Sequence, residues 1–204
     1  MTLGWVEDAA KRGLDVAAAA AGLAVLGPAM LGIGAAVRLT SPGPALFRQE
    51  RVGKDGCPFR ILKFRTMTAD APGHGPAITR GGDARVTPLG RVLRRTKLDE
   101  LPQLVNVLLG DMSLVGPRPE VPRYVEKYTP EQRRVLSIRP GITDWASIAY
   151  ASEEEVLARY PDLERAYVEE VMPRKLELNL QYLARRSLRT DLEILWQTAR
   201  TVLG

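Results

Sequence analysis

The stretch KLDELPQLVNVLLGDMSLVGPRP, residues 97–119, carries the residue types best suited to chemistry. Two adjacent carboxylates, Asp99 and Glu100, open an apolar run with helical spacing, and a Gly-Pro-Arg-Pro turn presents Arg118 a short way downstream. A carboxylate pair can hold Mg²⁺ or attack an electrophilic phosphorus, and an arginine fork can grip phosphate oxygens. The same two acids also suit the N-terminus of an ordinary helix, where negative charge is favourable. The pattern alone does not choose between these readings.

Composition narrows the chemistry. The 204 residues carry a formal net charge of +5 and a pI of about 9.5, a basic excess that fits phosphorylated substrates, anionic lipid or nucleic acid. Cys57 and His74 are the only residues of their kinds. That rules out an intramolecular disulfide and a His/Cys zinc site, and leaves little room for Ser-His catalysis. Any catalysis must run on carboxylates, arginines and lysines.

Residues 16–37 contain no charge over roughly 22 positions, enough for a helix to cross a bilayer. A secretory signal is a poor fit, because no clean small-residue cleavage site follows. Gly27-Pro28 sits mid-segment, where proline removes a backbone hydrogen bond and favours a kink. Both flanks are basic, with Lys11 and Arg12 before and Arg38, Arg48, Arg51 and Lys54 after, so charge bias assigns no orientation. A crossing helix and a hairpin that enters and leaves on one side fit the hydropathy equally well.

The remainder reads as one body. Residues 45–53 and 58–67 alternate apolar and basic positions, predicting two strands joined through Lys54-Asp55-Gly56. Residues 68–86, which include His74, read as a polar Gly-rich loop. Thr87-Pro88 predicts a capped helix through Arg95, and Leu98–Leu109 a further helix stopped by Gly110. Thr129-Pro130 predicts another start, Arg139–Thr143 a constrained turn, and Ser152–Glu155 a capping box. A helical stretch follows over 161–185, divided near Pro173. The C-terminal run places Leu188, Leu192, Leu195, Ala199 and Val202 on one side as a core stripe, with Trp196 suited to a membrane interface.

In order, the apolar segment, the ribbon ending in KFRTM, LDELPQL with NVLLGDMSLVGPRP, and RPGIT resemble the bacterial sugar transferase family. These are monotopic polyprenol-phosphate phosphoglycosyl transferases that begin capsule, exopolysaccharide, O-antigen and glycoprotein glycans. The resemblance spans about residues 11–204 and matches the family's small form. It implies a mostly helical α+β fold: a re-entrant hairpin over residues 1–40, broken at Gly27-Pro28, and a catalytic domain over 41–204 with a short β-ribbon and interfacial helices. Where the family has Ser-Pro at the break, this chain has Gly-Pro.

The implied reaction moves a sugar-1-phosphate from a UDP-sugar to polyprenol phosphate, releasing UMP. Asp99 is implied as nucleophile, Glu100 as ligand of Mg²⁺, and Arg94 and Arg118 as phosphate-binding groups. Pro117 and Pro119 frame Arg118, and Lys63, Arg65 and Arg139 are further candidates. Asp111 is expected to support its loop by hydrogen bonds. The implied partners are the UDP-sugar, the lipid acceptor and membrane lipid, not nucleic acid, at the cytoplasmic face of a bacterial inner membrane. Family members also form homodimers.

One departure stands out. Many members follow RPGIT with glycine and a Gln/Asn-containing segment, whereas here Asp144, Trp145 and Ser147 follow. This opens the identity of the sugar. Two other classes remain as alternatives. A membrane-anchored nucleic-acid binder fits the charge, but only 6% of residues are aromatic and no recognition motif appears. A non-catalytic membrane scaffold would be indifferent to the Asp99 carboxylate.

Overall fold

The computed structural model describes residues 4–68, 82–158 and 160–203. Helix α1 (Trp5–Thr40) is followed by strands β1 (Leu46–Val52) and β2 (Pro58–Phe64), then α2 (Pro88–Arg95), α3 (Gln103–Leu109) and β3 (Ser113–Val115). Helix α4 (Pro122–Val125), strand β4 (Gly141–Thr143) and helices α5 (Trp145–Ala149), α6 (Glu153–Leu157) and α7 (Leu163–Ala166) come next. Helices α8 (Met172–Arg185) and α9 (Leu188–Leu203) complete a mostly helical α+β chain. The segment holding His74 lies outside the described residues.

Helix α1 runs 36 residues, about 54 Å at 1.5 Å per residue. Its most apolar window has a mean hydropathy of 2.0 and is 6% buried. Helical structure continues through Gly27 and Pro28, so the expected helix-break-helix is not a break in secondary structure. A single proline forfeits one backbone hydrogen bond, which a long apolar helix tolerates.

Both ends of α1 are tied to the same body. Near the start, Lys11 Nζ donates to Asp191 Oδ2 at 2.6 Å, and the Asp15 carboxylate accepts from Ser113 Oγ at 2.8 Å and the Leu114 N–H at 3.1 Å. Arg12 donates to the Val107 and Leu108 carbonyls at 2.7 and 3.0 Å, satisfying the C-terminus of α3. At the far end, Arg65 donates to the carbonyls of Pro42 and Ser41 and to Ser41 Oγ.

Strands β1 and β2 pair antiparallel with Phe47 opposite Lys63 and Arg51 opposite Phe59, joined by a turn at Lys54–Gly56 as the sequence predicts. Asn106 of α3 binds β2 by accepting the Leu62 N–H at 3.0 Å and donating to the Arg60 carbonyl at 2.9 Å. Its amide also donates to Asp111 Oδ2 at 3.1 Å, which gives Asp111 the supporting role expected of it. Helix α2 matches its predicted bounds: Thr87 Oγ1 accepts the Gly90 N–H at 2.9 Å as its N-cap.

The segment read as a constrained turn is instead strand β4, paired in parallel with β3. Two glycines permit the approach. A Cβ on Gly141 would lie 2.1 Å from the Gly116 nitrogen, and one on Gly116 would lie 2.6 Å from the Arg139 carbonyl oxygen. The helical stretch near Pro173 is divided by a π-helical turn, Tyr167–Val171, and Pro173 enters α8 in its first turn, where its missing N–H costs nothing.

The predicted core stripe of α9 is corrected. Asp191 and Ile194 are buried, whereas Leu192 is 65% and Trp196 66% exposed. The polar Asp191 turns inward because Lys11 and Tyr182 bind it there.

The glycine pairing makes a direct test. Gly141→Ala is expected to destabilise the fold by about 2–3 kcal/mol, since Cβ would meet backbone rather than a yielding side chain. Gly27→Ala, with nothing within 4 Å of the new Cβ, is expected to leave the unfolding midpoint unchanged or higher. Thermal melts of the two variants in detergent check this.

Candidate active site

The acidic pair lies on a 3₁₀ turn, Leu98–Glu100, rather than on the N-terminus of a continuous helix. Pro102 lacks an N–H to bond back along the chain, so α3 starts afresh at Gln103. The turn is entered through Lys97 in the left-handed region at φ +56°. Side-chain cations, rather than a helix dipole, therefore set the potential at the dyad.

Glu100 is gripped from two elements. Lys63 of β2 donates to Oε1 at 2.9 Å. Arg118, on the turn after β3, donates to Oε2 through Nη1 at 3.1 Å and to Oε1 through Nη2, making a two-pronged pair. Burial by itself would raise the Glu100 carboxyl, but the charges and hydrogen bonds of Arg118 and Lys63 outweigh it and hold the group well below the usual carboxylate range. The Arg118 guanidinium is pushed up in turn, chiefly by Glu100. Lys63 moves down: its burial, with repulsion from Arg118, outweighs the attraction of Glu100 and Asp99. The site thus holds a firmly ionised carboxylate beside an ammonium that gives up its proton more readily than usual.

Asp99 is placed differently. It is 7% exposed, and no hydrogen bond to its carboxylate is made among the described residues. Burial raises its pKa, with the Glu100 charge adding to the effect, against the opposing pull of Lys63, Arg118 and Arg94. A desolvated carboxylate with few hydrogen bonds to break is a better nucleophile than a solvated one.

Both acids line an open cavity of ≈ 1580 Å³ together with Lys63, Arg94 and Arg118. Arg94 donates through Nε to Thr66 Oγ1 at 2.9 Å, which fixes it on the cavity wall. Pro119 lines the same cavity, while Pro117 faces a small void behind it and accepts the Gly141 N–H at 3.0 Å. Arg65 also lines this cavity. The Arg65 guanidinium is occupied by the chain leaving α1. Arg139 is exposed, donates to the Gly110 carbonyl at 2.8 Å and does not line the cavity. Gly27 and Pro28 lie mid-helix on α1, away from the cavity lining.

The structure adds residues that sequence reading missed. Glu120, next after the Gly-Pro-Arg-Pro turn, pairs with Arg51 at 3.3 Å and accepts a hydrogen bond from the Tyr167 hydroxyl. Lys175 sits 5.6 Å from the Tyr167 ring centroid and pairs with Glu153 at 2.6 Å, and all five residues line the cavity. Tyr167 carries no local signal, because the π turn that aims it shifts the helical register in a way no apolar pattern reveals. Glu120 could have been found by its place beside Arg118.

Mg²⁺ takes oxygen ligands and is held by one or two carboxylates plus substrate phosphates. Glu100 fits that donor set. Each carboxylate oxygen offers two lone-pair directions, and Glu100 Oε2 uses one of them on Arg118. Glu100, through the remaining direction on Oε2, is the acid that could hold the ion, with the other ligands supplied by a phosphorylated substrate and water.

Because burial raises the Asp99 pKa, its ionised form costs stability at neutral pH. Asp99→Asn is expected to raise the unfolding midpoint by about 2–4 °C per ~1 kcal/mol relieved. The gain should vanish below about pH 4, where the carboxyl is protonated in folded and unfolded chains alike. Melting curves at pH 7 and at acid pH check the sign.

Comparison with known proteins places the chain. The family model described as bacterial sugar transferase matches residues 6–204. An Aeromonas hydrophila UDP-N-acetylgalactosamine-undecaprenyl-phosphate N-acetylgalactosaminephosphotransferase is 39% identical over 198 residues, covering 95% of this chain and 43% of that protein. Two UDP-glucose:undecaprenyl-phosphate glucose-1-phosphate transferases are also similar. The Caulobacter vibrioides protein is 42% identical over 201 residues (96% of this chain, 70% of that protein). The Escherichia coli protein is 37% identical over 196 residues (92% and 39%). The chain therefore spans well under half the length of two of these relatives and about two thirds of the third. A match over nearly every residue, with the paired acids and Arg118 drawn to one cavity, means that the chain belongs to the bacterial sugar transferase family.

Proposed function

We propose that this protein transfers a sugar-1-phosphate from a UDP-sugar to a polyprenol phosphate, through a covalent intermediate on Asp99. The observation that carries the reading is the buried Asp99 carboxylate, unbonded among the described residues, beside a Lys63–Glu100–Arg118 cluster in a cavity large enough for a nucleotide sugar. The relatives, by their names, use UDP-N-acetylgalactosamine or UDP-glucose and undecaprenyl phosphate.

In the first step an Asp99 oxygen attacks the β-phosphorus of the donor. The new O–P bond forms as the P–O bond to UMP breaks, and UMP leaves with the electron pair. In the second step a phosphate oxygen of the lipid acceptor attacks the same phosphorus, the bond to Asp99 breaks, and the carboxylate is restored. Arg118, Lys63 and Arg94 face the charge that moves between phosphate oxygens. Mg²⁺ held by Glu100 and the donor's phosphates would supply the remaining charge neutralisation. Glu100 stays ionised throughout, which keeps it available as a ligand and holds Arg118 in register.

The lipid acceptor requires a site at the membrane surface, and the ties at both ends of α1 support a re-entrant topology. Lys11, Arg12 and Asp15 at one end, and the Arg65-bound chain at the other, join the same charged body. A helix crossing the bilayer would force that body to straddle hydrocarbon, where buried charges and open loops are costly. Exposed Leu192 and Trp196 of α9 suit a membrane interface.

Incubation with UDP-glucose, UDP-N-acetylgalactosamine or other UDP-sugars and Mg²⁺, without acceptor, is expected to release one UMP per enzyme. Mass spectrometry should then find a phosphosugar on Asp99. Direct transfer would give neither until the lipid is added, and Asp99→Ala with full activity would end the proposal. Tags fused at the two termini are expected to label from the same side of sealed vesicles; labelling from opposite sides would rule out re-entrance.

A further inference from the structure

The most deeply buried acid near the site is one the mechanism does not use. Asp144 is 0% exposed and lies between β4 and α5. Its two oxygens serve two different elements. Oδ1 accepts the Ser147 N–H at 2.6 Å and caps α5, while Oδ2 accepts the Arg118 N–H at 3.2 Å, 26 positions earlier in the chain. The Arg118 side chain approaches the same segment, with Nη1 3.4 Å from the Ile142 carbonyl. The Gly116 N–H donates to the Thr143 carbonyl and the Gly141 N–H to the Pro117 carbonyl, both at 3.0 Å, so the turn and the β4 segment are stitched together up to Asp144.

Capping α5 does not by itself require aspartate. Serine, threonine or asparagine caps a helix as well, using one acceptor oxygen. A carboxylate is the short side chain that offers two acceptor oxygens and no donor. Asparagine could keep the cap, but its amide nitrogen would then face the Arg118 N–H, donor against donor. The negative charge is also buried, which is costly unless a cation answers it. The Asp144 charge acts on the Arg118 guanidinium, second in strength only to Glu100 among the groups that favour its charged form.

We propose that Asp144 is a positioning residue for Arg118: its carboxylate fixes the Gly-Pro-Arg-Pro turn through the Arg118 backbone and steadies the guanidinium that grips Glu100 and the donor's phosphates. The inference rests on the proposed role of Arg118 in phosphate binding. It also reassigns the departure after Arg-Pro-Gly-Ile-Thr. Asp144 shapes the phosphate end of the site from beneath and does not read the sugar. Of its neighbours, Trp145 packs edge-on against Tyr182 at 6.0 Å, and Ser147 lines the cavity.

Asp144→Asn and Asp144→Ala separate this role from capping. The asparagine variant keeps its cap but sets a buried donor against the Arg118 N–H, and is expected to melt about 2–4 °C below the parent. Its KM for the UDP-sugar should rise about tenfold, the factor associated with losing one hydrogen bond of ordinary strength. The alanine variant should show the same KM rise together with a still lower melting midpoint. Loss of folded protein alone would lower kcat per milligram and leave KM unchanged, so unaltered KM values in both variants would overturn the proposal. If the parent protein turned over no UDP-sugar, the functional reading itself would fall. A melting cycle of Asp144→Asn, Arg118→Gln and the double variant then decides: midpoint losses smaller together than their sum support coupling, and additive losses overturn it.

Discussion

Glu100 is the hinge of the architecture. Its carboxylate joins β2 through Lys63, the Gly-Pro-Arg-Pro turn through Arg118, and its own 3₁₀ turn through the chain. Removing either cation would leave a buried acid under-compensated, and removing the acid would set two buried cations against each other. The pair is held less for its net contribution to stability than for the arrangement it enforces. Three segments of the chain meet at this one carboxylate.

That arrangement lets two neighbouring carboxylates behave differently. Glu100 collects the cations and stays ionised, while Asp99, one residue earlier, sits buried with a raised pKa and, among the described residues, no hydrogen bond to its carboxylate. Environments that push two acids apart assign them different work. One is suited to hold charge in place and the other to attack.

The same economy appears in the scaffold. Gly116 and Gly141 let two short strands approach at backbone distance, and Asp144 locks the end of that contact against Arg118. Asn106 does similar work behind β2 and ties the ribbon to α3. Helix α1 is secured at both ends, by the buried Lys11–Asp191 pair and by Arg65. The apolar middle of α1 is exposed and is long and apolar enough to cross a membrane.

What the sequence determined by itself was local. Thr87-Pro88 set the start of α2 because a cap and a fixed φ act within one turn, and the alternating apolar and basic residues set the β1–β2 ribbon. The length and hydropathy of α1 were legible for the same reason, and the acids and Arg118, which the fold draws to one cavity, stood out by their motif. Tertiary structure decided what depends on contacts between distant segments. It placed Lys63 on Glu100, spent Arg65 on the exit of α1, and turned Arg139 away from the cavity. It paired β4 with β3, turned Asp191 inward, and aimed Tyr167 at Glu120. Charged side chains look alike in sequence because each has several partners within reach, and only the folded backbone selects among them.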